Sequence, residues 1–222
     1  MSDSLLELRN VCFSYGPDRP VLGNCNLLVP KGIRLGLAGA NGSGKTTLLH
    51  LMVGLLRPAS GEIVAFGRPR RREADFHEVR RRAGLLFQDT DDQLFCPTVA
   101  EDVAFGPLNL GKPRAEARRI VAETLDRVGL PGFEQRITYR LSGGERRLVA
   151  LASVLAMQPD VLLLDEPTAG LDDTATARLV DVLLDLHQAM LVVSHDRKFR
   201  EQVTQQTLQL RAGRVEWGEP SI

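Results

Sequence analysis

The run Gly39-Ala40-Asn41-Gly42-Ser43-Gly44-Lys45-Thr46-Thr47 constrains this chain more than any other stretch. It satisfies G-x-x-x-x-G-K-[ST] at every fixed position, a pattern that works only between a strand and a helix. Upstream, Ile33, Leu35 and Leu37 alternate with small or polar residues, as a strand does; downstream, Leu48, Leu49, Leu51 and Met52 recur at helical spacing. The glycines let the backbone curl until successive N–H groups point at one anion, and the helix N-terminus adds partial positive charge. Lys45 can neutralise terminal phosphates, and the Thr46 hydroxyl can ligate Mg²⁺. The expectation is an ATP-type phosphate cradle formed by Gly39, Asn41, Gly42, Ser43, Gly44, Lys45, Thr46 and Thr47.

Composition limits what surrounds this loop. The 222 residues suffice for one sizeable domain or a domain with a lobe, and 43% hydrophobic content supports a packed core. Lys plus Arg and Asp plus Glu both total 28, a balance that argues against a dedicated nucleic-acid binder. Cys12, Cys25 and Cys96 lack C-x-x-C spacing, so neither a disulfide framework nor a zinc site is expected, as suits a reducing cytoplasm. No basic-then-apolar export signal and no spanning apolar run is read, so any membrane role needs a partner chain.

Before the loop, Leu6, Leu8, Val11 and Phe13 predict opening strands that end at Tyr15-Gly16-Pro17, and Leu27-Leu28-Val29 predicts another ahead of the turn Pro30-Lys31-Gly32. Tyr15 reads as an adenine-stacking platform rather than plain edge packing, because a phosphate cradle lies downstream. The loop's helix should stop near Gly54, and Gly61 to Phe66 reads as a strand. Arg68, Arg70, Arg71, Arg72, Arg80, Arg81 and Arg82 are interleaved with Glu73, Asp75 and Glu78, and read as a solvated face rather than a lipid or nucleic-acid contact. Leu85-Leu86-Phe87 predicts a buried strand ending at Gln88.

From Asp89 to about Gln158 the pattern turns helical. Val99 to Phe105 and Ala115 to Val128 read as helices, stopped by Gly129 and Pro131. Leu141-Ser142-Gly143-Gly144-Glu145 opens a further helix through Ala156, with Ser142 and Glu145 spaced for a capping box. Its two glycines, Gly143 and Gly144, expose N–H groups at a helix start, which makes a second anion cradle. One chain needs one cradle for a terminal phosphate, so the second implies two chains sharing nucleotide. Val161 to Leu164 predicts a buried parallel strand with Asp165-Glu166 at its carboxyl end, where open α/β sheets bind ligands. Asp165 is expected to hold Mg²⁺ through water and Glu166 to orient or deprotonate the attacking water. A helix is expected from Asp172 to His187, then a strand from Met190 to Val193 leading to Ser194-His195-Asp196. His195, unlike His50, His77 and His187, falls where it can contact a terminal phosphate or the water. Thr207 to Trp217 predicts a hairpin turning at Ala212-Gly213.

Together these motifs resemble the ATP-binding cassette (ABC) ATPases over essentially the whole chain: the phosphate loop, Gln88, the signature Leu141–Glu145, the strand Val161–Pro167, the loop Gly170-Leu171-Asp172, and His195. The resemblance implies an α/β P-loop NTPase, with a RecA-like core and antiparallel β lobe over about 1–88 and 159–222 and an inserted α-helical signature subdomain over about 89–158. It implies a head-to-tail homodimer or paralogous heterodimer, each ATP lying between one chain's phosphate loop and the other's Ser142-Gly143-Gly144, with Asp172 nearby. Gln88 becomes a switch glutamine that senses the γ-phosphate and Mg²⁺. Glu145-Arg146 departs from the commoner Gln at the signature's end.

A narrower resemblance lies in Phe87 to Phe95 and Thr98 to Pro107, which look like energy-coupling-factor (ECF) transporter ATPases. Those energise uptake of cobalt, nickel, biotin and other vitamins with an integral membrane coupling subunit and a substrate-capture subunit. This implies a peripheral protein at the cytoplasmic membrane face. Asp89, Asp91, Asp92 and Gln93, with an apolar floor from Leu94 and Phe95, are the expected docking surface for an arginine-bearing helix of the coupling subunit. The alternatives are the ATPase subunit of another ABC transporter class and, further off, a soluble cassette acting on DNA or ribosomes, a type that usually carries a long coiled-coil insertion or two fused cassettes. A non-hydrolysing regulatory cassette is disfavoured because Glu166 and His195 are both present.

Overall fold

The computed structural model describes residues 4–217, so the expected outer limits at 1 and 222 lie outside the described residues. The chain forms two units, one comprising residues through Leu85, Asp160–Asp165 and Gln188 onward, the other Leu86–Pro159 and Glu166–His187.

The first unit is built on two sheets. Strands β1 (Ser4–Ser14), β2 (Pro20–Pro30), β4 (Ser60–Ala65) and β5 (Arg68–Arg70) form an antiparallel sheet in the order β2-β1-β4-β5. Here β2 is longer than the sequence suggested. Its first half, with Gly23, Asn24 and Asn26, carries no strand signal, yet Cys25 pairs with Val11 and Leu22 with Phe13. The arginine stretch also needs correcting at one residue. Arg70 is 7% exposed, and its guanidinium donates to the carbonyls of Ala65 and Asp75 and pairs with Glu78 at 2.8 Å. A buried guanidinium needs such partners, so Arg70 braces β5 against helix α2 (Glu73–Arg82) while Arg71 and Arg72 stay exposed.

The other sheet has the order β10-β9-β3-β8-β7-β6, from β3 (Arg34–Ala38), β6 (Ala83–Leu86), β7 (Val161–Asp165), β8 (Ala189–Val193), β9 (Gln206–Arg211) and β10 (Arg214–Trp217). Strand β3 lies parallel to both β8 and β9, and β7 parallel to β8. Every residue of β7 and β8 is buried, which is why both read as unbroken apolar runs. Helix α1 (Lys45–Met52) contributes Leu48, Leu49, Leu51 and Met52 to the core, all with no exposed surface. At ~2 kcal/mol per buried side chain, this quartet fixes the helix that carries the phosphate loop.

The second unit is helical: α3 (Val99–Asn109), α4 (Arg114–Arg127), α5 (Gly143–Leu155) and α6 (Asp173–Asp185), with a 3₁₀ turn at Thr90–Asp92. Helix α3 outruns its expected end at Phe105 and continues through Pro107, stopping as Gly111 N–H donates back to Leu108. Buried Asp102 ties its start in place by accepting from the N–H groups of Phe95 and Cys96 and from the Thr138 hydroxyl. None of the described helices is long and apolar enough to cross a membrane.

Candidate functional site

In the first unit, three parallel strands end side by side. Leu37 of β3 pairs with Val193 of β8, and Val193 pairs with Asp165 of β7. Two strand spacings separate the outer members, so the phosphate loop and Asp165 rise from one sheet edge about 10 Å apart. Asp165 is 2% exposed, and Glu166 is the next residue in the chain. His195 follows β8 by two residues and is exposed. Asp165 also lies near His50 of α1: burial holds the His50 imidazole below its ordinary value, and the Asp165 carboxylate opposes that shift.

The loop between β3 and α1 has the shape the motif requires. Gly42 and Gly44 have φ of 75° and 104°, values that L side chains resist. A Cβ on Gly39 would fall 2.8 Å from Ser43 Oγ and from the Leu210 carbonyl, so only glycine fits there. Ser43 Oγ is buried with no hydrogen-bond partner among the described residues. Lys45 is 7% exposed and folds over its own loop, donating to the carbonyls of Gly39 at 2.9 Å and Ala40 at 3.1 Å. A curled glycine backbone, an orphaned hydroxyl and a buried ammonium fit an anionic phosphate chain. Thr46, partly exposed in the first turn of α1, supplies a hydroxyl suited to Mg²⁺.

Tyr15 is 54% exposed and stands edge-on to Phe13 at 4.9 Å. Its hydroxyl shares a 3.0 Å hydrogen bond with Thr47 Oγ1, which fixes an exposed ring directly beside the phosphate loop.

Two features that sequence reading missed support the strand ends: the residue Arg200 and the backbone conformation of Glu166. Arg200, on α7 (Arg197–Val203), is 9% exposed and donates to the Ser194 carbonyl just before His195. Glu166 has a φ of 43°, left-handed backbone held by the turn in which Ala169 N–H donates to its carbonyl at 3.0 Å. Strain of this kind concentrates at functional positions. Nothing in the sequence around Glu166 signals it, because no glycine or asparagine stands there.

In the second unit, the start of α5 has the capping box read from the sequence. Ser142 Oγ accepts from Glu145 N–H, and the Glu145 carboxylate accepts from Ser142 N–H at 2.8 Å. That backbone N–H, then the Ser142 hydroxyl, Arg136 and Arg178, hold the Glu145 carboxyl below its ordinary value. The departure from Gln therefore keeps the acid ionised as part of the cap. Gly144 is needed because its Cβ would fall 2.8 Å from Ala175 Cβ on α6. Asp172 caps α6 by accepting from Ala175 N–H at 2.7 Å, so Gly144 and Asp172 meet the same first turn of α6.

The residues after β6 divide by role. Asp89 accepts from Asp91 N–H at 2.9 Å and caps the 3₁₀ turn. Asp91 pairs with Arg146 at 3.0 Å. The Gln93 amide points inward, donating to the Ala150 carbonyl at 2.7 Å and Ser153 Oγ at 3.1 Å while accepting from Phe87 N–H at 3.2 Å. Those bonds tie the side chain to α5 while the residue stays half-buried. Asp92 is exposed and forms no hydrogen bond or ion pair among the described residues. Phe95 is 63% exposed and edge-on to Phe105 at 4.8 Å. Gln88 carries the Arg147 guanidinium on its backbone carbonyl.

Comparison with known proteins agrees with this geometry. A family model described as ABC transporter matches residues 22–169. A putative ABC transporter ATP-binding protein from Nitratidesulfovibrio vulgaris is 54% identical over 88% of this chain and 72% of its own length. The energy-coupling factor transporter ATP-binding protein EcfA of Methanothermobacter thermautotrophicus is 41% identical over 95% of this chain and 69% of its own. Among solved structures, cbiO1 from Clostridium perfringens, described as part of the ABC transporter complex cbiONQ, superposes with a TM-score of 0.87 at 32% identity, covering 97% and 88% of the two chains. The dimeric structure of MJ0796, described as a bacterial ABC transporter cassette, gives 0.85 at 27% identity over 95% and 96%.

Proposed function

The chain belongs to the ABC transporter family of ATP-binding proteins, and on that premise we propose that it is the ATP-hydrolysing subunit of an ECF-type importer, acting as a dimer under transmembrane partners. It is an ATPase that uses ATP and Mg²⁺. The observation that carries the assignment of roles is the row Leu37–Val193–Asp165, from whose ends the phosphate loop, His195 and Asp165-Glu166 emerge.

In this reading the loop N–H groups and Lys45 bind the β- and γ-phosphates, and Ser43 Oγ donates to a phosphate oxygen. Tyr15 stacks on adenine. Thr46, Asp165 and Gln88 would hold Mg²⁺, which offsets negative charge on the phosphate oxygens. Glu166 orients and deprotonates the attacking water, and His195 donates to the γ-phosphate as charge develops. The partner chain's Ser142, Gly143 and Gly144, with Asp172, close over the nucleotide. The two cradles in one chain, and the dimeric cassette among similar structures, support this arrangement.

The ECF assignment is supported by the EcfA relative and by cbiO1, whose printed description names a transporter complex. The transported substrate, a transition metal ion such as cobalt or nickel or a vitamin such as biotin, would be selected by other subunits. Asp92 and Phe95 are the proposed contacts for an arginine-bearing cytoplasmic helix. Affinity purification of the tagged chain from detergent-solubilised membranes tests this. Integral membrane proteins should co-purify with the parent and be lost with Asp92→Lys at an unchanged melting temperature. Recovery with ribosomes or DNA instead would overturn the importer reading. Uptake of cobalt, nickel and biotin by cells carrying the complex would then identify the cargo.

A further inference from the structure

Within the second unit, helix α5 holds the segment that carries Gln88 by contacts that no motif accounts for. Arg147 is 3% exposed, and its two terminal nitrogens each donate at 2.7 Å, one to the Phe87 carbonyl and the other to the Gln88 carbonyl. From the other side, the Gln93 side chain accepts from Phe87 N–H and donates to Ala150 and Ser153 of the same helix. Both polar groups of the Phe87 peptide are thus bound by side chains anchored on α5. Arg146, the preceding residue, pairs with Asp91 at 3.0 Å. A buried guanidinium needs partners held in fixed geometry, and here its two terminal nitrogens form a planar fork spanning two successive carbonyls.

We infer that Arg147 is a positioning residue that locks the switch glutamine's backbone to the signature helix, so that Gln88 and Ser142-Gly143-Gly144 move as one body. Arg147 lies about 7.5 Å along α5 from Ser142, five residues at helical rise. The path from the Gln88 carbonyl to the signature cap is one fork of hydrogen bonds and one and a half turns of helix. A shift of Gln88 that sheared these bonds would leave the buried Arg147 guanidinium without the two part-buried carbonyls it holds, so the shift passes to the helix instead. This inference rests on the ATPase reading of Gln88 and of the signature, and it assigns the coupling between them to one side chain.

The test compares Arg147→Lys and Arg147→Met with the parent. Lysine keeps the charge but can serve one carbonyl at a time; methionine keeps most of the stem and serves neither. ATP affinity, measured by titration with a fluorescent nucleotide, should stay within about twofold of the parent in both. Misplacement of catalytic groups costs up to ~100-fold, so Arg147→Met should lower kcat by about ten- to a hundredfold with little change in KM, and Arg147→Lys should fall between. Hydrogen exchange of the parent supplies an arm that needs no variant. Addition of ATP and Mg²⁺ should change protection of residues 87–92 and 142–150 together. Turnover of Arg147→Met within twofold of the parent would overturn the inference, as would independent exchange responses in the two segments. A parent that binds ATP and never hydrolyses it would strike the catalytic reading instead, and the exchange arm would still decide the coupling.

Discussion

Replacing Glu166 by Gln separates chemistry from folding at this site. The side chain is 7% exposed, and Gln differs from Glu by one atom, so no cavity forms and packing is kept. Its φ of 43° is unaffected by the exchange. Stability should change by no more than about 1 kcal/mol, which for a chain of this size shifts the melting temperature by only ~2–4 °C. Catalysis should fall far more. A positioned general base contributes roughly 10²- to 10⁴-fold, or ~3–5 kcal/mol of barrier. Glu166→Gly is the companion. It removes the same carboxylate and relieves about 1–2 kcal/mol of left-handed strain while giving up buried side-chain contacts. Both variants should bind ATP, accumulate as nucleotide-bound dimers on size exclusion, and release phosphate at less than a hundredth of the parent rate. Turnover within tenfold of the parent in either would refute the role given to Glu166. Loss of turnover together with a fall of ~10 °C in both would mean that the site had unfolded rather than lost its base.

Three further outcomes follow from the same geometry. Gly44→Ala forces a side chain onto a φ of 104° and sets its Cβ 2.6 Å from Val21 Cγ1; at ~1–2 kcal/mol for the backbone alone, nucleotide affinity by titration should drop about tenfold or more. Ser142→Arg puts bulk and charge on the second cradle and removes a cap worth about 1 kcal/mol, so ATP-driven dimerisation should vanish on size exclusion while monomer nucleotide binding persists. Burial first of all pushes the Cys25 and Cys96 thiols up to about 11, whereas the Ser60 hydroxyl and Asn24 N–H lower Cys12. At pH 8 roughly a thousandth of either raised thiol is thiolate, so maleimide followed by mass spectrometry should label Cys12 first and the others only as pH nears 11; equal labelling at pH 8 would contradict the burial argument.

Local signals were legible and long-range ones were not. The phosphate loop, the capping box at Ser142 and the buried runs of β7 and β8 follow from spacing and polarity within ten residues, and the structure has them where spacing put them. Arg147 was invisible because the Phe87 carbonyl it holds lies 60 residues away in the chain, and Arg70 and Arg200 because the nearby carbonyls of Ala65 and Ser194 come within reach only once the chain has turned back. Arg146 and Arg147 are adjacent and chemically identical, yet one is partly exposed on an ion pair and the other wholly enclosed. Only the 100° turn between neighbouring helical positions separates them, and that angle has meaning once the packed face of α5 is known. The first half of β2 failed for a different reason: its polar residues take strand geometry from pairing with β1 rather than from their own propensity.

The acidic run after Gln88 holds carboxylates with different internal duties, which composition alone does not distinguish. Asp89, Asp91 and Asp92 read as three equivalent carboxylates. In the fold the first completes the cap of a 3₁₀ turn, and the second neutralises Arg146 on the signature helix. A lysine at Asp91 would meet Arg146 at the distance of the present ion pair, repelling the helix that holds Gln88. Loss of partner binding by such a variant would then report a disturbed switch as readily as a lost contact. Asp92 carries neither duty, and Phe95 beside it presents its ring to solvent. For the docking helix proposed above, the contacts therefore narrow to one carboxylate and one apolar ring. Being three residues apart across a short turn, they suit a partner with one arginine and one large apolar side chain on the same helical face.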